Sequence, residues 1–492
     1  MPELLIENNV TFLSSALGPE ELVLLSLKGR EAISELYSFE LWLAGEGEVA
    51  LASDTIEDVM AGTVGVAFGL GFEFPIWGVL KEIELVARDD SRAPLYRAVM
   101  VPRLWYTTQT RRSRVYQGST VREIVTAVLK DAGMKEGEHF DFKLEGTYPK
   151  REYVLQYQET DFDFCCRLLE HEGISFFFEQ TVKGEKILFV DANGKFGKLE
   201  GHESIAYLQR DGATDPGESI WSMSCNHRMV PRQVTLRDYN YRTPTVPLLA
   251  HQPVQEKGRG HQVLYGEHFK DAGEGKRLAK VRSEEFNARR NVYVGKSRVR
   301  ALRSGHLFTL TGHPLGQFDQ RYLVTEVLHQ VDQTPVSEFT EGARGTQGYT
   351  NSWVGIPADV PFRPERRTPR PLVSGVLNGV VDGPVNGAAA PLDEQGRYHV
   401  LMPIDTVGRA GGRASRAVRM LQASSGANYG MHLPLHVGTE VAIGHVNGDP
   451  DRPVIIGSVP NPETMTPVVE DNATQSVIRT RAGIHVEFED DA

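Results

Sequence analysis

Cysteine is almost missing from this chain, with three among 492 residues. Cys165 and Cys166 are neighbours whose side chains diverge on a helix, and Cys225 is left without an obvious partner, so a disulfide framework is excluded. Free thiols, in a protein made in the cytosol, are the expectation. Long apolar runs are missing too. No stretch approaches the roughly eighteen residues of a spanning helix, and no basic-plus-apolar segment opens the chain. Neither membrane crossing nor signal-peptide export is therefore expected, and another device must carry the protein if it leaves the cell. An excess of positive charge is also lacking: 53 Lys and Arg face 65 Asp and Glu, a net charge of -12, which argues against general affinity for nucleic acid.

The motifs that impose a chemical mechanism are absent as well. There is no G-x-S-x-G elbow, and GEGKR at 273–277 lacks the upstream glycine and the Ser or Thr of a phosphate-binding loop. His432 and His436 have the spacing of a helical metal pair, but Pro434 between them places the pair on a loop and strand. His171 and Glu172 lack the second histidine of H-E-x-x-H, and the cysteines lack C-x-x-C spacing. No catalytic, cofactor-binding or metal-binding residue is assigned, and an enzyme is not expected.

What is present is a turn-dense composition. The length suggests three or four domains, and 48 glycines and 27 prolines among many short apolar runs point to β architecture with few helices. Phe39, Leu41 and Leu43 alternate with Glu40, Trp42 and Ala44, as in a sheet with one buried face. Residues 120–134 read as a helix with Thr120 as cap, Glu123 at the capping-box position and Gly133 as stop. The segment 361–371, PFRPERRTPRP, reads as a solvated or partner-facing linker, the clearest boundary in the chain.

The most informative stretch is QYQETDFDFCCRLLEHEG at 156–173, followed by ISFFFE. Thr160 can cap a helix, with Asp163 reaching back to an orphan backbone N–H and Asp161 adding negative charge to the first turn. Phe164, Cys165, Leu168 and Leu169 form an apolar stripe, Arg167, Glu170 and His171 fall mostly opposite, and Gly173 supplies a left-handed stop. Capping accounts for Asp161 and Asp163 without a catalytic role, and Phe176, Phe177 and Phe178 read as core.

Gln156, Tyr157, Glu159, Thr160, Asp161, Asp163, Phe164, Arg167, Leu168, Leu169, Glu172, Gly173 and Ile174 resemble the signature of the VgrG (valine-glycine repeat protein G) family, the spikes of type VI secretion systems. The resemblance implies a mainly β chain with an α+β insertion, two barrel-like hub domains, an OB-fold and the start of a trimeric β-prism needle. The expected parts are a first hub barrel over 1–100, an α+β insertion over 101–220, a second hub barrel over 221–360, the linker over 361–371, an OB-fold over 372–462 and the stem over 463–492. Two like barrels in each of three chains would let a threefold spike mate with a sixfold tube.

Within 372–462, DEQGRYHVLMP at 393–403 and VGTEVAIGHVNGDPDRPVIIGSV at 437–459 resemble the family's OB domain, with Asn447, Gly448, Asp449 and Pro450 forming its tight turn. The central strand is AVRMLQASSGANYGMHLP, without the tryptophans of many members. At 476–492, Ile484, Val486 and Phe488 alternate with His485, Glu487 and Glu489, a face one strand pair cannot bury; the three apolar residues are expected to point inward in a trimer stem. The implied partners are two further copies, the haemolysin-coregulated tube protein, baseplate proteins, a PAAR-repeat tip with effectors and, in passing, a target membrane. Nucleic acid and cofactors are not among them. A contractile phage or prophage hub is the near alternative, and an OB-fold nucleic-acid binder or a cell-wall hydrolase the alternatives of another class.

Overall fold

Phe39, Leu41 and Leu43 are fully buried while Glu40, Trp42 and Ala44 are partly exposed, so the strand Ser38–Gly45 has the one-sided burial its alternation dictates. It lies within a thirteen-stranded sheet. The computed structural model describes residues 10–18, 21–45, 49–68, 73–86, 93–209, 217–333, 348–407 and 417–490. They divide into two compact units: one runs to Gln109 and includes Val125–Tyr148 and Cys165–Thr368, and the other holds Thr110–Ile124, Pro149–Phe164 and the chain from Pro369.

In the first unit, the sheet runs Val10–Ser14, Val64–Phe68, Glu73–Val86, Leu95–Val101, Ser38–Gly45, Leu22–Ala32, Arg321–Asp332, Gly348–Pro357, Asn291–Ser297 and Ile220–His227. Its seam is the antiparallel pairing of Leu22–Ala32 with Arg321–Asp332, from Ser26 opposite Asp332 to Ala32 opposite Glu326. Two stretches about three hundred residues apart in sequence are thereby stitched into one sheet. Trp353 is fully buried between Phe308 and Tyr322, with ring centroids 5.1 and 5.7 Å away. Gly295 is what lets it in, because a Cβ there would lie 2.5 Å from the indole.

Four α-helices occur among the described residues: α1 (Ser53–Ala61), α2 (Val121–Asp131), α3 (Asp161–Glu172) and α4 (Ala272–Ala288). The box that starts α2 is formed: the Glu123 amide donates to Thr120 Oγ1 at 3.2 Å and the Thr120 amide to Glu123 Oε2 at 2.7 Å. α4 is capped by Asp271, whose carboxylate accepts the Glu274 amide at 2.9 Å. Phe176, Phe177 and Phe178 on the strand Ser175–Thr181 are all buried, since that strand pairs with Gly184–Val190 in a small sheet covered on both faces.

The second unit contains a five-stranded sheet in the order Val400–Leu401, Leu377–Val381, Glu440–His445, Pro453–Ser458 and Arg419–Met420. The segment expected as its central strand pairs over only two residues and lies at the sheet's edge, because Ser425–Gly426 turns back on Tyr429–Gly430 in a separate small hairpin. The barrel core of Val381, Tyr398, Val400, Val441, Ile443 and Ile455 also takes in Val115, Tyr153 and Leu155. Those three come from the antiparallel pair Arg111–Tyr116 and Val154–Thr160 and the residue before it. Part of the region read as a hub insertion therefore packs with the small barrel, whose few short strands do not close a core alone.

Candidate functional site

α3 starts where the sequence places it. The Asp163 amide donates to Thr160 Oγ1 at 3.0 Å, fixing the N-cap. The returning contact differs from expectation: the Asp163 carboxylate accepts the Thr160 hydroxyl at 2.7 Å rather than a backbone N–H. Asp161 is 1% exposed and accepts two bonds from Arg112, Nε at 2.9 Å and Nη2 at 2.6 Å. Gln156, fully buried, adds a third bond from Nε2 at 2.8 Å. A carboxylate so enclosed by donors is an ion-pair anchor of the strand pair.

The rest of α3 corrects the amphipathic reading. Arg167, Glu170, His171 and Glu172 are all buried, as are Leu168 and Leu169, so the helix has no solvent face over its last turns. Polar groups survive there because each is partnered. Glu172 accepts Arg277 Nη2 at 2.7 Å, and His171 Nε2 lies 3.0 Å from the Glu267 carbonyl oxygen. Glu170 accepts the Thr368 hydroxyl at 2.8 Å and the amides of Arg367 and Thr368 at 3.2 and 3.1 Å.

Those last partners belong to the proline-rich segment, which is a clamped strap rather than a solvated linker. Arg363 donates to the carbonyls of Gly173 and Asp191 at 3.0 and 2.7 Å and to Glu284 at 2.7 Å. Arg366 grips Glu267 with both terminal nitrogens. Burial works to raise the Glu267 pKa, but Arg366, with His171 and Arg282, overrides it and holds the carboxyl at about 2. Prolines remove backbone donors from the strap, and its arginines supply bonds in their place.

Gly173 ends the helix at φ +74°, and a Cβ there would sit 2.4 Å from Val281 Cγ1 and 3.1 Å from Arg363 Cδ. Gly173→Ala is expected to cost about 1–2 kcal/mol for the left-handed backbone and about 1–3 kcal/mol more for overpacking. A thermal denaturation midpoint unchanged from the parent would overturn this account of the stop.

In the small barrel, Asn447 and Gly448 make the turn at φ 56° and 70°. Asp449 is buried and accepts Arg370 Nη1 at 2.9 Å and the Asp451 amide at 3.0 Å, with Pro450 between. Asp451 in turn accepts the Leu155 amide at 2.7 Å, tying the turn to the Val154–Thr160 strand. His432 stacks parallel to Tyr398 and His436 forms an isolated bridge with Ala389. Arg112, Glu267 and Asp451 were missed in the sequence. Only Asp451 carried a signal, the D-P-D spacing of a turn whose second carboxylate can reach a neighbouring strand.

Ile484, Val486 and Phe488 lie on the hairpin of Gln475–Arg479 with His485–Glu489. Their exposures are 71%, 50% and 63%, and Ile478, opposite Val486, is 49% exposed. Register places Ile478, Val486 and Phe488 on one face, and Ile484, just before the strand, continues their alternation. The hairpin pairs with no other strand among the described residues.

The phage tail baseplate hub family (GPD) matches residues 30–335, and the type VI secretion system/phage-baseplate injector OB domain matches residues 388–459. The type VI secretion system spike protein VgrG5 of Pseudomonas aeruginosa is 33% identical over 470 residues, which are 93% of this chain and 58% of that protein. VgrG1a of the same organism is 30% identical over 480 residues, 95% of this chain and 72% of the relative. The chain thus spans between about half and three quarters of these two relatives' lengths. Among solved structures, an Escherichia coli type VI secretion component, described as similar to the T4 bacteriophage tail proteins gp27 and gp5, aligns at a TM-score of 0.68 and 22% identity, covering 91% of this chain and 99% of that one. The lidded Francisella PdpA–VgrG complex aligns at 0.60 and 9% identity over 98% of this chain and 75% of that one.

Proposed function

Because this chain belongs to the VgrG family of type VI secretion spike proteins, we propose that three copies assemble into the spike of a contractile injection machine. The role is mechanical: the trimer caps the tail tube, punctures a target envelope and carries effectors, while contraction elsewhere supplies the force. Tube, baseplate and tip proteins are its partners, and the machine itself is the route of secretion.

The observation that carries this reading is the open face of Ile478, Ile484, Val486 and Phe488. An isolated two-stranded hairpin is at best marginally stable in water, and an apolar row on it is completed when like hairpins from two further copies close around an axis. Light scattering should give a mass three times the chain's 54.7 kDa. A stable monomer at micromolar concentration would remove the spike reading.

Replacing Ile484 and Phe488 together by Asp should lower the trimer fraction at micromolar concentration at least about tenfold, since six carboxylates would converge on one axis. The thermal transition of the hub unit should be unchanged. Full trimer content in that variant would mean that the stem does not hold the copies. The match to the phage tail hub over 30–335 favours a second reading, a prophage tail hub. Pull-down of a type VI tube protein rather than a phage one decides between them.

A further inference from the structure

A cleft of 480 Å³ opens between the turn at Thr181–Gly184, the start of the 3-10 helix at Arg103 and the loop 137–139. Its floor is a carboxyl group. Glu185 accepts the Arg103 backbone N–H on Oε1 and meets the hydroxyl of Tyr37, itself fully buried, on Oε2. The same hydroxyl contacts the Trp77 carbonyl. A phenol has one proton to donate and here faces two acceptors. Both contacts are satisfied only when Glu185 is protonated and donates to the phenol oxygen while the phenol donates to Trp77. Burial accordingly pushes the Glu185 pKa up to about 7, against the opposing pull of Tyr37 and Arg103.

With the floor neutral, the walls are cationic. Lys186 is held by the Gly137 carbonyl at 2.8 Å and by Asp141 at 3.6 Å, and Glu138 by Lys135 at 3.3 Å. Arg103 and Lys183 remain. The Arg103 guanidinium donates only to the Thr63 hydroxyl, at 3.3 Å, and acts on the Glu185 carboxyl through space, and among the described residues neither cation is held in a close ion pair. His139, whose pKa is lowered by burial and by Arg103, stands on the same wall. Trp77 lines the opposite side, its indole N–H bonded to the Thr181 carbonyl at 2.7 Å. The volume lies within the range of small-ligand sites. A half-buried guanidinium and a free ammonium over a neutral floor, beside an indole, suit an oxyanion attached to a small organic body.

We propose that this cleft binds a small organic phosphate or sulfate ester, its oxyanion held by Arg103 and Lys183 and its body against Trp77. The site is independent of the spike reading and lies within one unit of one chain. Isothermal titration at pH 6 with glycerol 3-phosphate, and separately with inorganic sulfate, tests it. The expected result is saturable binding of the ester with a Kd below about 1 mM and weaker binding of sulfate, which lacks the body. Arg103→Gln, which leaves the backbone N–H to Glu185 in place, and Lys183→Gln should each weaken binding about tenfold or more. Glu185→Gln, which keeps a neutral floor, should change it less than about twofold. Absence of saturable ester binding, or undiminished affinity in a folded Arg103→Gln/Lys183→Gln double variant, would overturn the proposal, and so would strong tightening in Glu185→Gln. Sulfate binding as tightly as the ester would remove the role of Trp77.

Discussion

Glu267→Ala is expected to destabilise the larger unit by about 3–5 kcal/mol, the cost of leaving a buried charge without its partner. The Glu267 side chain is 6% exposed and takes both terminal nitrogens of Arg366, whose own side chain is 28% exposed. Removing it strands Arg366 beside Arg282, a buried cation already paired with Glu285 through one arm. The release should be local. Hydrogen exchange should speed up in the last turns of α3 and in residues 361–368 before it changes in the main sheet. A double variant, Glu267→Leu with Arg366→Met, should recover most of the loss, because the desolvation cost of both charges disappears with them. Equal stability of Glu267→Ala and the parent would mean that the strap is not clamped.

The same carboxyl sets an acid limb. Its folded pKa of about 2 lies below the ordinary 4.5, so its stabilising share is complete above pH 4.5 and is lost as pH falls through about 2. A shift of that size corresponds to about 3 kcal/mol. Glu267→Gln should therefore lose less stability than the parent between pH 4.5 and 2, and an identical slope in the two proteins would remove Glu267 as the cause.

Asp161→Ala should cost the smaller unit a similar amount, about 3–5 kcal/mol. Three side-chain bonds converge on a carboxylate that is 2% exposed, two from Arg112 and one from Gln156. The loss also takes negative charge from the first turn of α3, worth about 0.3–1 kcal/mol at a helix N-terminus. The strands Arg111–Tyr116 and Val154–Thr160, which these groups bridge, should exchange their amides faster first. Because two units need not unfold together, a local exchange measurement is the sound test. Protection unchanged in both strands would show that the pair is not an anchor.

How legible this was from residues alone depends on the range of the interaction. Thr160 and Asp163, Thr120 and Glu123, and Gly173 act within about one helical turn, and the sequence located the starts of α2 and α3 and the stop of α3 through them, whereas α1 went unread. Phe39, Leu41 and Leu43 announced a one-sided strand by period alone. The polar residues of α3 were misread for the opposite reason. On a helical wheel Arg167, Glu170 and His171 look solvated, and only groups about a hundred to two hundred residues away, Glu267 and Arg282 beside His171 and Glu170 and the strap's Thr368 on Glu170, convert that side into interior. The prolines and arginines of 361–371 likewise suggest solvent until their carboxylates are located.

Local periodicity, capping chemistry, glycine stops and the composition of a turn-rich chain were determined by the sequence itself, since each depends on backbone geometry and near neighbours. The seam between Leu22–Ala32 and Arg321–Asp332, the transfer of Val115 and Leu155 into the small barrel, and the pairing of Arg366 with Glu267 and Arg112 with Asp161 were decided only by the tertiary structure. A buried charge or an unpaired strand edge is costly wherever it lies, and nothing in its own stretch of chain says which distant group will relieve it.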